Sequence, residues 1–213
     1  ETNYTGLAPE AGIYDLCVQS TAIESGLFFI QDALRWISVF AKEYDIQVVN
    51  LSLGGKKPWG DTENIVKGII EQDIFIIAAT GNAQHSESLD DSEFVGYPSG
   101  YPDVIAIGSL GRLNENNKVD YTVTSYYSEI GNNIDYTSPG RNIIAAKSMS
   151  HDTIVLSGTS MACPYSAGIV TLMVSYLKNN NILLGEYVKR VNYLLSKMTN
   201  RVYYQDDVKG VRI

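Results

Sequence analysis

The stretch IFIIAATGN, residues 74–82, decides how this chain is read. Ile74 to Ala79 form an unbroken apolar run rich in isoleucine, stopped by Thr80, Gly81 and Asn82. A short run of this kind bounded by turn residues reads as a strand buried on both faces, the habit of a parallel sheet. Working outward, residues 12–19 (GIYDLCVQ), 47–53 (QVVNLSL) and 104–110 (VIAIGSL) have the same character. Between them lie helical spacings: Leu27, Ile30, Leu34, Ile37 and Ala41 step by three or four, and Ile65, Ile69 and Gln72 follow Thr62 and Glu63. Strands alternating with helices imply an α/β fold built from crossovers around a mostly parallel sheet. Further on, shorter strands are expected at 134–137, 143–147 and 153–156, then helices at 159–177 and 187–197, with no element assigned after Thr199.

Composition narrows the function classes. The 213 residues are 45% apolar and 19% charged, which suits one domain, expected to span residues 1–213. A net charge of −8 leaves no basic footprint for a phosphate backbone or an anionic lipid surface, so neither nucleic acid nor membrane is an expected partner. The longest apolar runs, such as Ile74 to Ala79, fall far short of the roughly 18 to 20 residues of a bilayer crossing, and the opening ETNYTGLAPE has no basic leader region. Two cysteines, Cys17 and Cys163, and two histidines, His85 and His151, include no CxxC, HExxH or paired-histidine spacing, so no metal site is expected from them. No repeat or linker divides the chain.

Three segments carry the chemistry. In GTSMACPYSAGIVTLMVSYL, residues 158–177, a serine follows Gly-Thr at the start of a helix apolar almost all round, and such a helix must be buried. Pro164 is expected in its first turn, where a missing N–H costs little. Ser160 then sits at the positive end of a buried helix dipole, where orphan backbone N–H groups can hold a developing oxyanion. A hydroxyl that merely caps a core helix is the simpler local reading. In residues 74–82, Asn82 ends a buried strand at the carboxyl edge of the sheet, where open α/β folds bind ligands. It is either an uncharged donor to an alkoxide or a turn residue after Gly81. In VVNLSLGG, residues 48–55, the Ser-Leu-Gly-Gly ending leaves extended backbone free to pair with a peptide, or is an ordinary strand exit.

In this order the three segments, together with VGYPSGYPDVIAIG (95–108), IDYTSPG (134–140) and GLAPEAGIYDLCVQ (6–19), resemble the subtilisin-like serine protease family of the peptidase S8 type. The resemblance implies a three-layer α/β fold and peptide-bond hydrolysis. It makes Ser160 the nucleophile and Asn82 the side-chain donor of the oxyanion hole, with the Ser160 N–H as the second donor. Ser52, Leu53 and Gly54 become the strand that pairs with substrate, Ala78, Ala79, Thr80 and Gly81 the opposite wall of the primary specificity pocket, Gly96 its floor and Ala83 its rim. The pocket is expected to be roomy and uncharged. The implied partner is a peptide or protein substrate.

Half of the family's machinery is not recognised in the chain. Family members carry the triad Asp and His on segments that precede the one matching GLAPEAG, and only five residues stand before it here. His85 and His151 match neither position. The first strand of the family's sheet, which bears the Asp, lies between the strands matching 12–19 and 47–53, so the sheet is expected to be incomplete at its N-terminal side. The expectation is that an N-terminal fragment of the same protease supplies Asp, His and strand, and that this chain alone is inactive. The alternative is a pseudoprotease that binds peptides or partners without catalysis. A nucleotide-binding fold is rejected, since no Gly-x-Gly-x-x-Gly or Walker pattern occurs. Two residues depart from the family: Cys163 stands where Ser is commoner, and Tyr165 replaces a His. Cys163 is either a helix-terminal thiol of lowered pKa or a buried packing residue. No cofactor is required for catalysis; the resemblance leaves a structural calcium conceivable at the carbonyls of Ser99, Tyr101 and Val104. The family has secreted and intracellular members, and Asn3-Tyr4-Thr5 is a glycosylation sequon only in a secreted eukaryotic protein.

Overall fold

Residues 74–79 alternate between two cores. Ile74, Ile76 and Ala78 face one apolar cluster while Phe75, Ile77 and Ala79 face another, and each is almost fully buried. This is the two-sided burial read from the sequence, and it generates three layers. The computed structural model describes residues 5–18, 26–82, 95–129, 131, 133–182, 185 and 187–198. In chain order these form α1 (Leu27–Phe40), β1 (Val48–Leu51), α2 (Thr62–Ile70), β2 (Phe75–Ala79), β3 (Ile105–Leu113), β4 (Val119–Thr124), β5 (Tyr136–Pro139), β6 (Ile143–Ala146), β7 (Thr153–Leu156), α3 (Thr159–Asn179) and α4 (Tyr187–Met198).

Strands β1, β2 and β3 run parallel, β5 continues parallel on β3, and β4 returns antiparallel along the far half of β3. α1 and α2 cover one face through Ile30, Leu34, Ile37, Val66 and Ile69; α3 and α4 cover the other through Ala162, Ala167, Val170, Val174 and Val191. Strands β6 and β7 make a separate two-stranded ribbon leading into α3. By length and hydropathy α3 is apolar enough to cross a bilayer; one side of it packs against the sheet, while Leu172 and Tyr176 are exposed, so the helix is not buried all round as its composition suggested. α4 is anchored at its start by a residue distant in sequence. The Asp73 carboxylate, just ahead of β2, accepts hydrogen bonds from the N–H groups of Gly185, Tyr187 and Val188 at 2.8 to 3.1 Å, satisfying orphan donors of the first turn.

Three expectations are corrected. Residues 12–18 form no strand: they run extended without a ladder partner, and Ile13 is 88% exposed. A strand buried on both faces needs a neighbour on each side, and between this segment and β1 lies an open groove. β4 was not expected at all. Its sequence VDYTVT mixes polar and apolar residues on a partly exposed surface, so it lacks the apolar run that marks the buried strands. Pro164 lies not in the first turn of α3 but in its second, as the sixth helical residue. The loss of one intrahelical hydrogen bond is therefore real, and its consequence falls on Ser160.

Candidate active site

The carboxyl ends of β1 and β2 and the N-terminus of α3 meet at one edge of the sheet, where a parallel α/β fold presents its loops. Asn82 stands three residues past β2. Its Oδ1 accepts the N–H of Thr159 at 2.9 Å and the Thr159 hydroxyl at 3.2 Å. A backbone N–H can donate only to oxygen, so this contact fixes which way round the amide sits and leaves the Nδ2 end as a donor. The turn carrying Asn82 is held in turn by a bridge to Ser128 and by the N–H of Glu129 donating to Gly81 at 3.3 Å.

Gly158, the residue before α3, has φ 156° and ψ 164°, a region that only glycine occupies readily. A Cβ there would only touch the Asn82 amide, 3.4 Å from its Nδ2, so it is the backbone conformation that requires glycine. Gly140 supports the turn from below: its carbonyl accepts the Gly158 N–H at 2.8 Å and the Tyr127 hydroxyl at 2.9 Å. A Cβ on Gly140 would stand 2.7 Å from the Gly158 carbonyl oxygen, 3.0 Å from the Ala162 Cβ, and on top of the Ser109 hydroxyl. Gly140→Ala is accordingly expected to lower unfolding stability by about 1–3 kcal/mol, read as a fall in the urea midpoint, and to displace the start of α3.

Ser160 occupies the second position of α3, in the turn whose N–H groups have no helical acceptor. Its hydroxyl donates to the Ser52 carbonyl at 3.3 Å, and the Ser52 hydroxyl donates to the Ser160 carbonyl at 2.9 Å. No described imidazole or carboxylate bonds the Ser160 hydroxyl. His151 lies at the exposed turn between β6 and β7, and His85 and Ala83 fall outside the described residues.

The predicted substrate strand leaves β1 at Ser52 and Leu53. Leu53 packs towards the α1 and α2 core, and Gly54 is exposed. Gly55 pairs antiparallel with Tyr97, with N–H to carbonyl distances of 2.9 and 2.8 Å, while the Gly96 N–H donates to the Thr80 carbonyl at 2.9 Å. The structure therefore brings Gly54, Gly96 and the exit of β2 together. The side chains of Ala78, Ala79 and Thr80 are buried in the two cores, with the Thr80 hydroxyl on the Ile107 carbonyl at 3.3 Å. A Cβ at Gly96 would lie 3.2 Å from the Thr80 carbonyl and 3.4 Å from that of Gly55, so the space between these two strands depends on this glycine.

Cys163 is fully buried beneath this edge. Its thiol donates to the Ile77 carbonyl at 3.4 Å, and burial pushes its pKa up to about 12, outweighing the opposite influence of the nearby Ser52 side chain and Leu51 backbone. Of the two readings of this residue, the packing thiol is the one that fits. Cys17 is exposed. In the folded chain a thiol-reactive dye such as Ellman's reagent is expected to modify Cys17 and to spare Cys163 until denaturant is added.

No described group of three or more His, Cys, Asp or Glu side chains is placed to hold a metal ion. Of the carbonyls named for a structural cation, that of Tyr101 already accepts the Val104 N–H at 3.4 Å.

The sequence model of the subtilase family, peptidase S8, matches residues 1–201. The chain belongs to the subtilase family. Among curated subtilases it is 29% identical over 171 residues to the major intracellular serine protease of Bacillus subtilis strain 168, covering 80% of this chain and 49% of that protein. It is 31% identical over 173 residues to subtilisin NAT of Bacillus subtilis subsp. natto, covering 80% and 40%. The chain thus spans about half or less of these relatives' length. Among solved structures, the prenylagaramide maturation protease PagA superposes with a TM-score of 0.65 at 22% identity over 92% of this chain and 66% of that one. A cold-adapted subtilisin-like serine proteinase gives 0.63 at 22% identity over 88% and 60%. The fold is that of a subtilase, an α/β fold with a mostly parallel sheet, as the sequence motifs implied.

The Ser52 and Ser160 pair and the hold of Thr159 on Asn82 were not read from the sequence. Pro164, four residues after Ser160, was the available signal for the first of them.

Proposed function

We propose that this chain is the nucleophile-bearing part of a single subtilisin-like catalytic domain, a serine endopeptidase whose Asp and His come from an N-terminal segment or chain. The observation that carries the reading is the Asn82 amide, fixed by Thr159 beside the N-terminus of α3 where Ser160 sits. Substrate backbone pairs with Ser52, Leu53 and Gly54, and the side chain before the scissile bond enters between Gly54 and residues Ala78, Ala79, Thr80 and Gly81, over Gly96. The Ser160 Oγ attacks the peptide carbonyl while its proton passes to the imidazole. The oxyanion is held by the Ser160 N–H and the Asn82 Nδ2. Collapse expels the amine, protonated by the same imidazole, and water then hydrolyses the acyl-enzyme. Only proton and acyl transfer are involved, and no cofactor takes part.

The groove beside β1 supports the proposed N-terminal segment. It has a volume of about 1030 Å³ and is lined by residues 12–16 on one side, Val48 to Leu51 on the other, Ile30 and Leu34 from α1, and Ala167 and Gly168 from α3. Among the described residues β1 is the outermost strand of the sheet, so the groove offers an apolar slot with unpaired backbone along its wall. One extended segment, apolar on both faces, suits that space.

A second reading, a peptide-binding pseudoprotease, draws on the Ser160 hydroxyl resting against a carbonyl and not a base. Labelling with a fluorophosphonate separates the two. With the Asp- and His-bearing segment present, Ser160 of the protease is labelled and Ser160→Ala is not; a fully assembled but unlabelled protein is a binding module.

A further inference from the structure

We infer that Ser52 is a positioning residue for the nucleophile, its hydroxyl holding the Ser160 carbonyl that Pro164 leaves without a helical partner. This rests on Ser160 being the nucleophile. In an α-helix the carbonyl of residue 160 takes the N–H of residue 164, and a proline there has none to give. The proline ring also crowds that carbonyl and turns it outward. A partly buried carbonyl without a partner is costly, so a donor from elsewhere is favoured. It comes from Ser52, 108 residues away, at 2.9 Å.

The Ser52 hydroxyl is itself aimed. The Asn50 amide donates to the Ser52 Oγ at 3.1 Å, which occupies an acceptor site of the hydroxyl and leaves its proton for Ser160. The return bond from the Ser160 Oγ to the Ser52 carbonyl closes a ring of two hydrogen bonds between the exit of β1 and the first turn of α3. Ser52 therefore ties the peptide-pairing strand to the residue that attacks, and the orientation of the Ser160 backbone, N–H included, depends on it. The resemblance gave Ser52 only a backbone role in pairing substrate; the side-chain role follows from the proline.

The test uses the full-length protease containing this chain, with Ser52→Ala, Ser52→Thr and Ser52→Val. Thr and Val have the same shape and differ in the hydroxyl. Phosphonylation by a small alkyl fluorophosphonate, which makes no strand pairing, reads the nucleophile; kcat and KM on a peptide amide read the reaction. The Thr variant is expected to stay within about three-fold of wild type, while the Ala and Val variants are phosphonylated about ten-fold more slowly and lose a similar factor in kcat, with KM unmoved because the backbone of residues 52–54 is intact. If Ala fails to fold, the Thr and Val pair decides. Equal phosphonylation rates for Thr and Val, or a loss confined to KM, overturn the role of Ser52. A folded wild-type protein that is not labelled overturns the protease reading beneath it, which is a different result.

Discussion

Peptide hydrolysis by this chain is expected to rise by on the order of 10⁶ when the segment bearing the family's Asp and His is supplied, a factor taken from removal of the histidine in subtilisin itself. The reason lies at Ser160, whose hydroxyl rests on the Ser52 carbonyl, an acceptor that cannot take up its proton during attack. A serine hydroxyl at neutral pH is a weak nucleophile without a base in reach. The measurement is the turnover of a chromogenic peptide amide by the chain alone and after addition of a peptide or fragment carrying the two residues. The same addition is expected to fill the groove beside β1 and to raise the melting temperature, because a ligand bound only by the folded state stabilises it by mass action. Turnover unchanged by a segment that binds and stabilises is the outcome that would sink the proposal.

The second large effect is at Asn82. In the assembled protease, Asn82→Leu is expected to lower kcat by about 10² to 10³ with little change in KM, the range found for the corresponding donor in a subtilisin. The oxyanion exists only after attack, so the ground state loses nothing when the donor is removed. The Asn82 Oδ1 is already held by Thr159, and the amide needs no reorientation as charge develops. Asn82→Asp tests the polarity of that contact: a carboxylate keeps the acceptor for Thr159 and loses the donor, so its kcat is expected to fall as well. A variant with normal kcat and raised KM would instead make Asn82 a substrate contact. Steady-state kinetics on one peptide amide distinguishes these cases.

The layered core was legible because it is written in local pattern. Residues 74–79 supply apolar side chains to both faces in alternation, and the buried side of α3 is apolar where it meets the sheet, although Leu172 and Tyr176 on its other side are exposed. Asn82 and Gly96 were singled out through family motifs and not through periodicity. What could not be read were the contacts between side chains far apart in sequence. Asp73 capping α4 and Ser52 completing the Ser160 carbonyl each join positions more than a hundred residues apart. β4 escaped because an exposed antiparallel strand needs no continuous apolar run. Residues 12–18 looked like a buried strand because their composition suits a neighbour on either side, and composition does not reveal whether that neighbour lies within the same stretch of chain.

The outermost strand of the sheet has a further consequence for anyone producing the protein. Val48 to Leu51, with the sequence VVNL, carries no charge and no proline, the residues that usually stop such a strand from docking onto another molecule. Two copies of this chain can each offer this strand to the other. If the proposed segment normally covers β1, self-association that grows with concentration is expected of the chain without it, and adding that segment is expected to suppress it.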